Sequence, residues 1–187
     1  KGMSTKRTQR GFWARLINKF RSKPEDILLE GQFNFHIDTP QLAKNIHRVE
    51  IDDHVTKKKK MHGTSFICSK ILTKRKLSLP EKISKVFKVK IDENEYTNLY
   101  SSRRVIKNLN KNAKNHFYKI DIWELVNKKI VDSLRPGMTV YGEIVGFLPT
   151  GEPIQKGYDY GCASTEYKFY IYRITTTDPL GHVLDWS

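Results

Sequence analysis

The sequence predicts a single α+β domain, because several strand-like stretches are separated by only a few helical segments. Hydrophobic residues make up 38% of the 187 residues, which is enough for one domain with its own core. We assign residues 31–187 to this domain. Residues 1–30 are assigned to a basic N-terminal extension that is predicted to be helical, since apolar residues fall at helical spacing between positions 12 and 20. Such a helix suits the domain's own surface, RNA or a membrane.

Five segments follow in the N-terminal half. The aromatic alternation of residues 33–35 predicts a short strand, and residues 38–46 read as an N-cap, a proline in the first turn and a short helix. Strand-like alternation over residues 49–72 is interrupted by a lysine run and a glycine. Residues 73–98 are charged and poorly periodic, which predicts a loop, and residues 100–106 predict another strand that carries two arginines.

The C-terminal half has clearer signals. Asp121 is a predicted N-cap for a helix that reaches about Leu134, with one apolar face. Arg135-Pro136-Gly137 then predicts a turn. The remaining elements are a strand over residues 138–145, a Gly/Pro-rich loop over 147–161, a strand over 168–175 and a turn over 178–181.

Charge and cysteine content restrict the partners and the compartment. The chain carries 34 Lys+Arg against 20 Asp+Glu, a net charge of +14 that favours a polyanion such as nucleic acid, nucleotide phosphates or an acidic membrane face. Cys68 and Cys162 have neither disulfide nor metal-ligand spacing, so we expect a reducing, intracellular compartment. No apolar run is long enough for a membrane span and no signal-peptide core is evident, so we expect no membrane partner.

Three segments carry the candidate chemistry: Lys60 to Phe66, Val140 to Gly146 and Phe169 to Ile174. Taken singly, each has an ordinary structural interpretation, namely a solvated turn, a strand bulge and an aromatic strand packed in a sheet. Taken together, they offer what a nucleotide site needs. A lysine amine that is neutral can attack phosphorus, a carboxylate can bind a ribose hydroxyl, and an aromatic ring can stack on a purine.

In this order the segments resemble the covalent nucleotidyltransferases, the family of RNA ligases, DNA ligases and capping enzymes. Lys60-Met61-His62-Gly63 resembles the nucleotidyl motif, and Gly142-Glu143 resembles the downstream Gly-Glu motif. His62 with Thr64, and the stretch Ile154 to Gly161, are most similar to the RNA ligase 2 group, while Tyr100 to Arg103 resembles its Ser-Arg motif. The resemblance implies an incomplete nucleotidyltransferase domain, ATP-grasp-like, with antiparallel sheets flanked by helices.

The resemblance also implies roles for individual residues. Lys60 is the expected nucleophile, which would carry AMP, and Glu143 the ribose contact. The other implied nucleotide-binding residues are the two aromatic side chains Phe169 and Tyr172, the phosphate ligand Arg103, the glycine Gly63 that admits the nucleotide to the backbone, and His62, which would position the lysine or bind phosphate. Lys59 departs from the family, in which glutamate is common at this position.

The implied reaction is ATP-dependent sealing of RNA through a lysyl-AMP intermediate, with Mg²⁺ or Mn²⁺ as cofactor. It joins a 5′-phosphate to a 3′-hydroxyl, on RNA that is nicked or paired with a template. The family's later Glu-Gly and Lys-x-Lys strands have no counterpart before Ser187, so we expect a C-terminal segment or a second chain to supply them and this chain to be inactive alone. The expected location is the cytoplasm, that of the host cell if the protein is viral.

Two alternatives are left open by the sequence. One is a truncated, non-catalytic ligase-like domain that binds RNA through its positive charge. The other is a capping guanylyltransferase, which would use GTP, although His62 and the stretch from Gln155 to Gly161 are less typical of that branch.

Overall fold

Five strands form one antiparallel sheet in the part of the chain that the computed structural model describes, residues 27–109 and 120–186. Their spatial order is β2-β1-β3-β4-β5, so β3 lies at the centre. The α+β class predicted from the sequence is thereby confirmed. The strands are β1 (Thr64–Lys74), β2 (Asn94–Ser101), β3 (Met138–Gly146), β4 (Tyr167–Thr177) and β5 (Val183–Asp185).

Three α-helices accompany the sheet in the described residues: α1 (Leu42–Asn45), α2 (Leu79–Val86) and α3 (Ile122–Ile130). Short 3₁₀ turns, Ile46–Arg48 and Val131–Ser133, continue α1 and α3. Asp121 caps α3 as predicted, because its carboxylate accepts a hydrogen bond from the backbone N–H of Glu124 at 3.0 Å. None of the helices among the described residues is both long and apolar enough to cross a membrane.

The hydrophobic core lies on one face of the sheet, where α3 packs. Phe66 on β1 and Ile144 on β3 are fully buried there, together with Trp123 and Val126 of α3. Each such side chain contributes roughly 1.5–3 kcal/mol through removal from water. The indole N–H of Trp123 donates to the backbone oxygen of Ser65 at 3.0 Å, which connects α3 to the start of β1.

The opposite face of the sheet is crossed by the chain segment that precedes α1. The buried amide of Gln32 donates to the Asp178 backbone oxygen at 2.7 Å and accepts from Leu72 N–H at 3.3 Å. Farther along, the Tyr141 hydroxyl donates to the backbone oxygen of Asn34 at 3.0 Å. Thr64 and Ser65 on β1, Glu143 on β3 and residues 170–172 on β4 remain partly exposed, and the candidate site lies there.

The prediction of a strand over residues 33–35 is wrong. This segment has no regular secondary structure, because side chains such as Tyr141 satisfy part of its backbone instead of a neighbouring strand. The short helix after Pro40 is confirmed, but its N-cap residue is Gln41. Asp38, in the predicted cap region, instead pairs with Arg103 and Arg104.

The predictions for residues 73–106 are also wrong in part. The segment expected to be a loop contains α2 and most of β2. The strand expected over residues 100–106 ends at Ser101, so Arg103 and Arg104 lie on the turn that follows it. Residues 49–60 form no strand before β1.

The C-terminal predictions are confirmed with small changes of boundary. The strand expected over residues 138–145 is β3, and the one expected over 168–175 is β4, which extends two residues farther at its C-terminal end. The helix expected to reach Leu134 ends at Ile130 and continues as a 3₁₀ turn. The helix predicted between residues 12 and 20 of the N-terminal extension lies outside the described residues, which begin at residue 27.

Candidate active site

Glu143 is the centre of the candidate site. Its carboxylate accepts the backbone N–H of Gly63 at 3.1 Å and the hydroxyl of Ser65 at 3.2 Å. Ser65 and Glu143 are direct partners across β1 and β3, so their side chains point to the same face. Glu143 on β3 therefore fixes the backbone at Gly63, three residues after Lys60, although 80 residues separate Gly63 and Glu143 in sequence.

The environment of Glu143 favours its protonated form more than water does. Burial raises the pKa of the carboxyl group, while the hydrogen bonds from Gly63 and Ser65 and the positive charge of Lys60 act in the opposite direction. Burial is the larger effect, so the net pKa is raised.

Lys60 lies on an exposed segment without regular structure, directly before β1. Two consecutive backbone amides fix the chain just beyond it. His62 N–H donates to the hydroxyl of Tyr160 at 2.8 Å, and Gly63 N–H donates to Glu143. The ammonium of Lys59 lies 5.5 Å from the centre of the Tyr160 ring, a cation–π contact.

The imidazole of His62 joins a small aromatic stack. Its ring centre lies 4.6 Å from that of Tyr158, with an angle of 29° between the planes. Tyr158 stacks in turn on Tyr160 at 6.0 Å. These contacts attach the loop after β3 to the lysine segment.

Arg103 reaches the same region from the turn after β2. It forms a charge-assisted hydrogen bond with Asp38, and Arg104 pairs with the other carboxylate oxygen at 3.2 Å. The two guanidinium groups hold the pKa of Asp38 below its usual value. The hydrogen bond to Asp38 raises the pKa of Arg103, and the charges of Glu143 and Tyr172 act in the same direction.

Tyr172 lies on the site face, at a bulge in β4. Tyr141 pairs with Arg173 and Gly142 with Ile171, so Tyr172 is the extra residue. Its hydroxyl is hydrogen-bonded to the imidazole of His36, and the ring remains 41% exposed. Burial of the hydroxyl and the charge of Glu143 raise the pKa of Tyr172 well above its usual value.

Phe169 lies on the opposite face from Tyr172. It is opposite Ile144 in the β3–β4 pairing and packs edge-on against Phe66, with ring centres 5.2 Å apart. The two predicted aromatic contacts are thus not brought together. Phe169 lies against the core, and a Cβ atom at Gly142 would overlap its ring, so the glycine of the Gly-Glu pair makes room for this packing.

Several residues of the site were not assigned a role from the sequence. Ser65 has a detectable signal, since it lies two residues after Gly63 on a strand and must share its face. His36, Asp38 and Tyr160 reach the site through irregular segments, for which no periodicity exists.

Residues 27–109 and 120–186 contain no group of three or more His, Cys, Asp or Glu side chains arranged to hold a metal ion. The chain matches no family model, no curated protein and no solved structure.

Proposed function

We propose that this chain is the front part of an ATP-dependent RNA ligase domain, in which Lys60 takes up AMP. The main support is the hydrogen bond between Gly63 N–H and the Glu143 carboxylate, which joins the lysine motif to the Gly-Glu motif in one site. Two of the motif resemblances in the sequence thus come together at one atomic contact.

The site residues divide the work by their chemistry. Glu143 has accepting capacity beyond its two protein donors, so it can also bind a ribose hydroxyl. The exposed ring of Tyr172 offers a stacking surface for adenine. Arg103 brings a permanent positive charge to the same face, suited to a phosphate group, with Asp38 fixing its orientation.

In the proposed step, the neutral amine of Lys60 attacks the α-phosphorus of ATP. A phosphorus–nitrogen bond forms, the bond to the bridging oxygen breaks, pyrophosphate leaves and the amine releases a proton. The neighbouring lysines at 57–59 add positive charge, which suits the phosphate groups of ATP. Transfer of the AMP to an RNA 5′-phosphate, and sealing by a 3′-hydroxyl, would follow.

Covalent labelling tests this proposal. The full-length natural protein is incubated with α-labelled ATP and Mg²⁺ or Mn²⁺ and separated on a denaturing gel. We expect label on the parent and on Lys57→Ala, a matched control from the same lysine run, but none on Lys60→Ala.

Each of the other outcomes would indicate a different function or a different nucleophile. Labelling of Lys60→Ala at the parent level would show that another residue is the nucleophile. Labelling by GTP but not ATP would indicate a guanylyltransferase. Salt-dependent RNA binding without labelling by either nucleotide would indicate the non-catalytic, RNA-binding alternative.

A further inference from the structure

A surface groove of about 410 Å³ is lined in part by Tyr172. Its volume is within the range of ligand-binding clefts. The groove is bordered by Lys58 from the lysine segment, by β4 and by the residue that follows β5. The lining residues are Lys58, Ile171, Tyr172, Arg173, Ile174 and Trp186.

Trp186 presents a large aromatic surface in this groove. Its side chain is 67% exposed, yet the residue is held at two points. The backbone N–H donates to Ile174 at 2.9 Å, and the indole N–H donates to the hydroxyl of Thr176 at 2.8 Å. A ring that is already oriented loses little conformational entropy when a flat ligand stacks on it.

Positive charge accompanies the ring. The Nε of Arg173 donates to Asp185 at 2.7 Å, and its guanidinium lies 5.0 Å from the Tyr141 ring centre, so its position is fixed. Lys58 has no ion-pair partner within the described ranges of the chain. Asp185 is the acidic group that faces Arg173, and it offsets only part of the positive charge that the lysine run brings to the groove.

We propose that this groove binds single-stranded RNA, with one base stacked on Trp186 and phosphates close to Lys58 and Arg173. Exposed aromatic rings beside cations are the combination that single-stranded nucleic acids require, since bases stack and phosphates need positive charge. The identity of the strand as a ligase substrate rests on the proposed function, whereas binding itself does not. The groove would carry an RNA end towards Lys60.

The first experiment tests stacking on the Trp186 ring. It measures, by fluorescence anisotropy, how tightly the full chain binds a fluorescein-labelled, single-stranded RNA of about twelve nucleotides. Loss of one stacked base weakens binding by about 5- to 150-fold, which is the expected effect of Trp186→Ala. Trp186→Phe, which keeps a smaller ring, should lose less. The matched control is Phe87→Ala, since Phe87 is 76% exposed outside the groove and should bind like the parent.

Salt dependence tests the phosphate contact separately. Lys58→Ala should lower the slope of log Kd against log salt by about 0.7, the value for one phosphate on a single strand. Lys44→Ala, on α1, is the control and should leave the slope unchanged. Equal slopes for the parent and Lys58→Ala would show that Lys58 does not contact a phosphate.

Tryptophan emission gives a readout that does not depend on comparing affinities. In a Trp13→Phe background the remaining indoles are Trp123, which is buried, and Trp186, so RNA should quench the emission and a further Trp186→Phe change should abolish the quenching.

The outcomes separate this inference from the proposed function. If Trp186→Ala binds RNA as tightly as the parent does, with circular dichroism unchanged, the groove does not bind RNA, whatever the labelling experiment gives. If ATP alone displaces the RNA and Trp186→Ala abolishes ATP binding, the groove is a nucleotide site and the proposal is overturned. If Trp186→Ala weakens RNA binding and the parent takes no label, the groove is retained and the ligase proposal fails.

Discussion

Gly63→Ala provides the most direct test of the site's geometry. A Cβ atom added at Gly63 would lie 2.0 Å from the backbone oxygen of Ile144 and 2.9 Å from a methyl group of Val145. An ordinary contact with that oxygen begins at 3.4 Å, so the two backbones would have to separate by about 1.4 Å. A movement of that size would also break the 3.1 Å hydrogen bond to Glu143.

The expected loss of stability follows from these two effects. Overpacking costs about 1–3 kcal/mol, and loss of a hydrogen bond to a charged group costs about 1.5–3 kcal/mol. We therefore expect Gly63→Ala to lower the free energy of unfolding by roughly 2.5–6 kcal/mol, measured by urea denaturation followed by circular dichroism.

Gly151→Ala is the matched control. It has open space around it but a positive φ of 85°, so it should cost only about 1–2 kcal/mol. The reasoning is refuted if Gly63→Ala is no less stable than Gly151→Ala, because the close approach to β3 would then not exist.

Two further predictions concern titratable groups. Because burial raises the pKa of Glu143, its contribution to stability is complete below the unfolded-state pKa and is lost as pH rises through the folded-state pKa. Glu143→Gln should therefore gain stability relative to the parent between about pH 4 and about pH 7, and an equal difference at both pH values in urea denaturation would contradict it. Burial raises the pKa of Cys68 to about 12, and its thiol donates to Asn127 at 2.9 Å, so a thiol reagent should modify it only after unfolding. Rapid modification of Cys68 in the native protein, located by peptide mass mapping, would be inconsistent with this burial.

The parts of the fold predicted from the sequence are those whose pattern coincides with burial. Nearly every residue of β3 is buried, β4 packs Phe169 against the core, and α3 has one apolar stripe because one face of the helix meets the sheet. Strand β2 is at the edge of the sheet, where its first residues are exposed on both faces, and therefore shows no such pattern.

Helix α2 was missed for a related reason. None of its side chains is buried. The usual sign of a helix, an apolar face that packs on the core, therefore does not apply to it. A local signal was nevertheless present. Ser78 and Glu81 form a capping box, and Pro80 lies in the first turn, a combination that marks a helix start independently of burial.

Only those site residues that belong to a recognisable motif could be predicted from the sequence. The resemblance of the lysine and Gly-Glu segments led to the expectation that Lys60 and Glu143 belong to one site. The contact itself depends on the register between β1 and β3, which pairs Ser65 with Glu143 and which a single sequence does not determine. Tyr160 and Asp38 reach the site through long-range contacts from irregular segments, and no sequence pattern encodes such contacts.

The Gly142-Glu143 pair links the core to the site. Neighbouring residues of a strand point to opposite faces, so Gly142 faces the Phe169 ring while Glu143 faces Gly63. A larger side chain at position 142 would push against Phe169 on the core face, and the same backbone would carry the Glu143 carboxylate with it. Since the hydrogen bond to Gly63 tolerates only a few tenths of an ångström, packing on the core face sets the position of the chain after Lys60. The glycine of this pair thus affects the position of Glu143 through its packing on the core face.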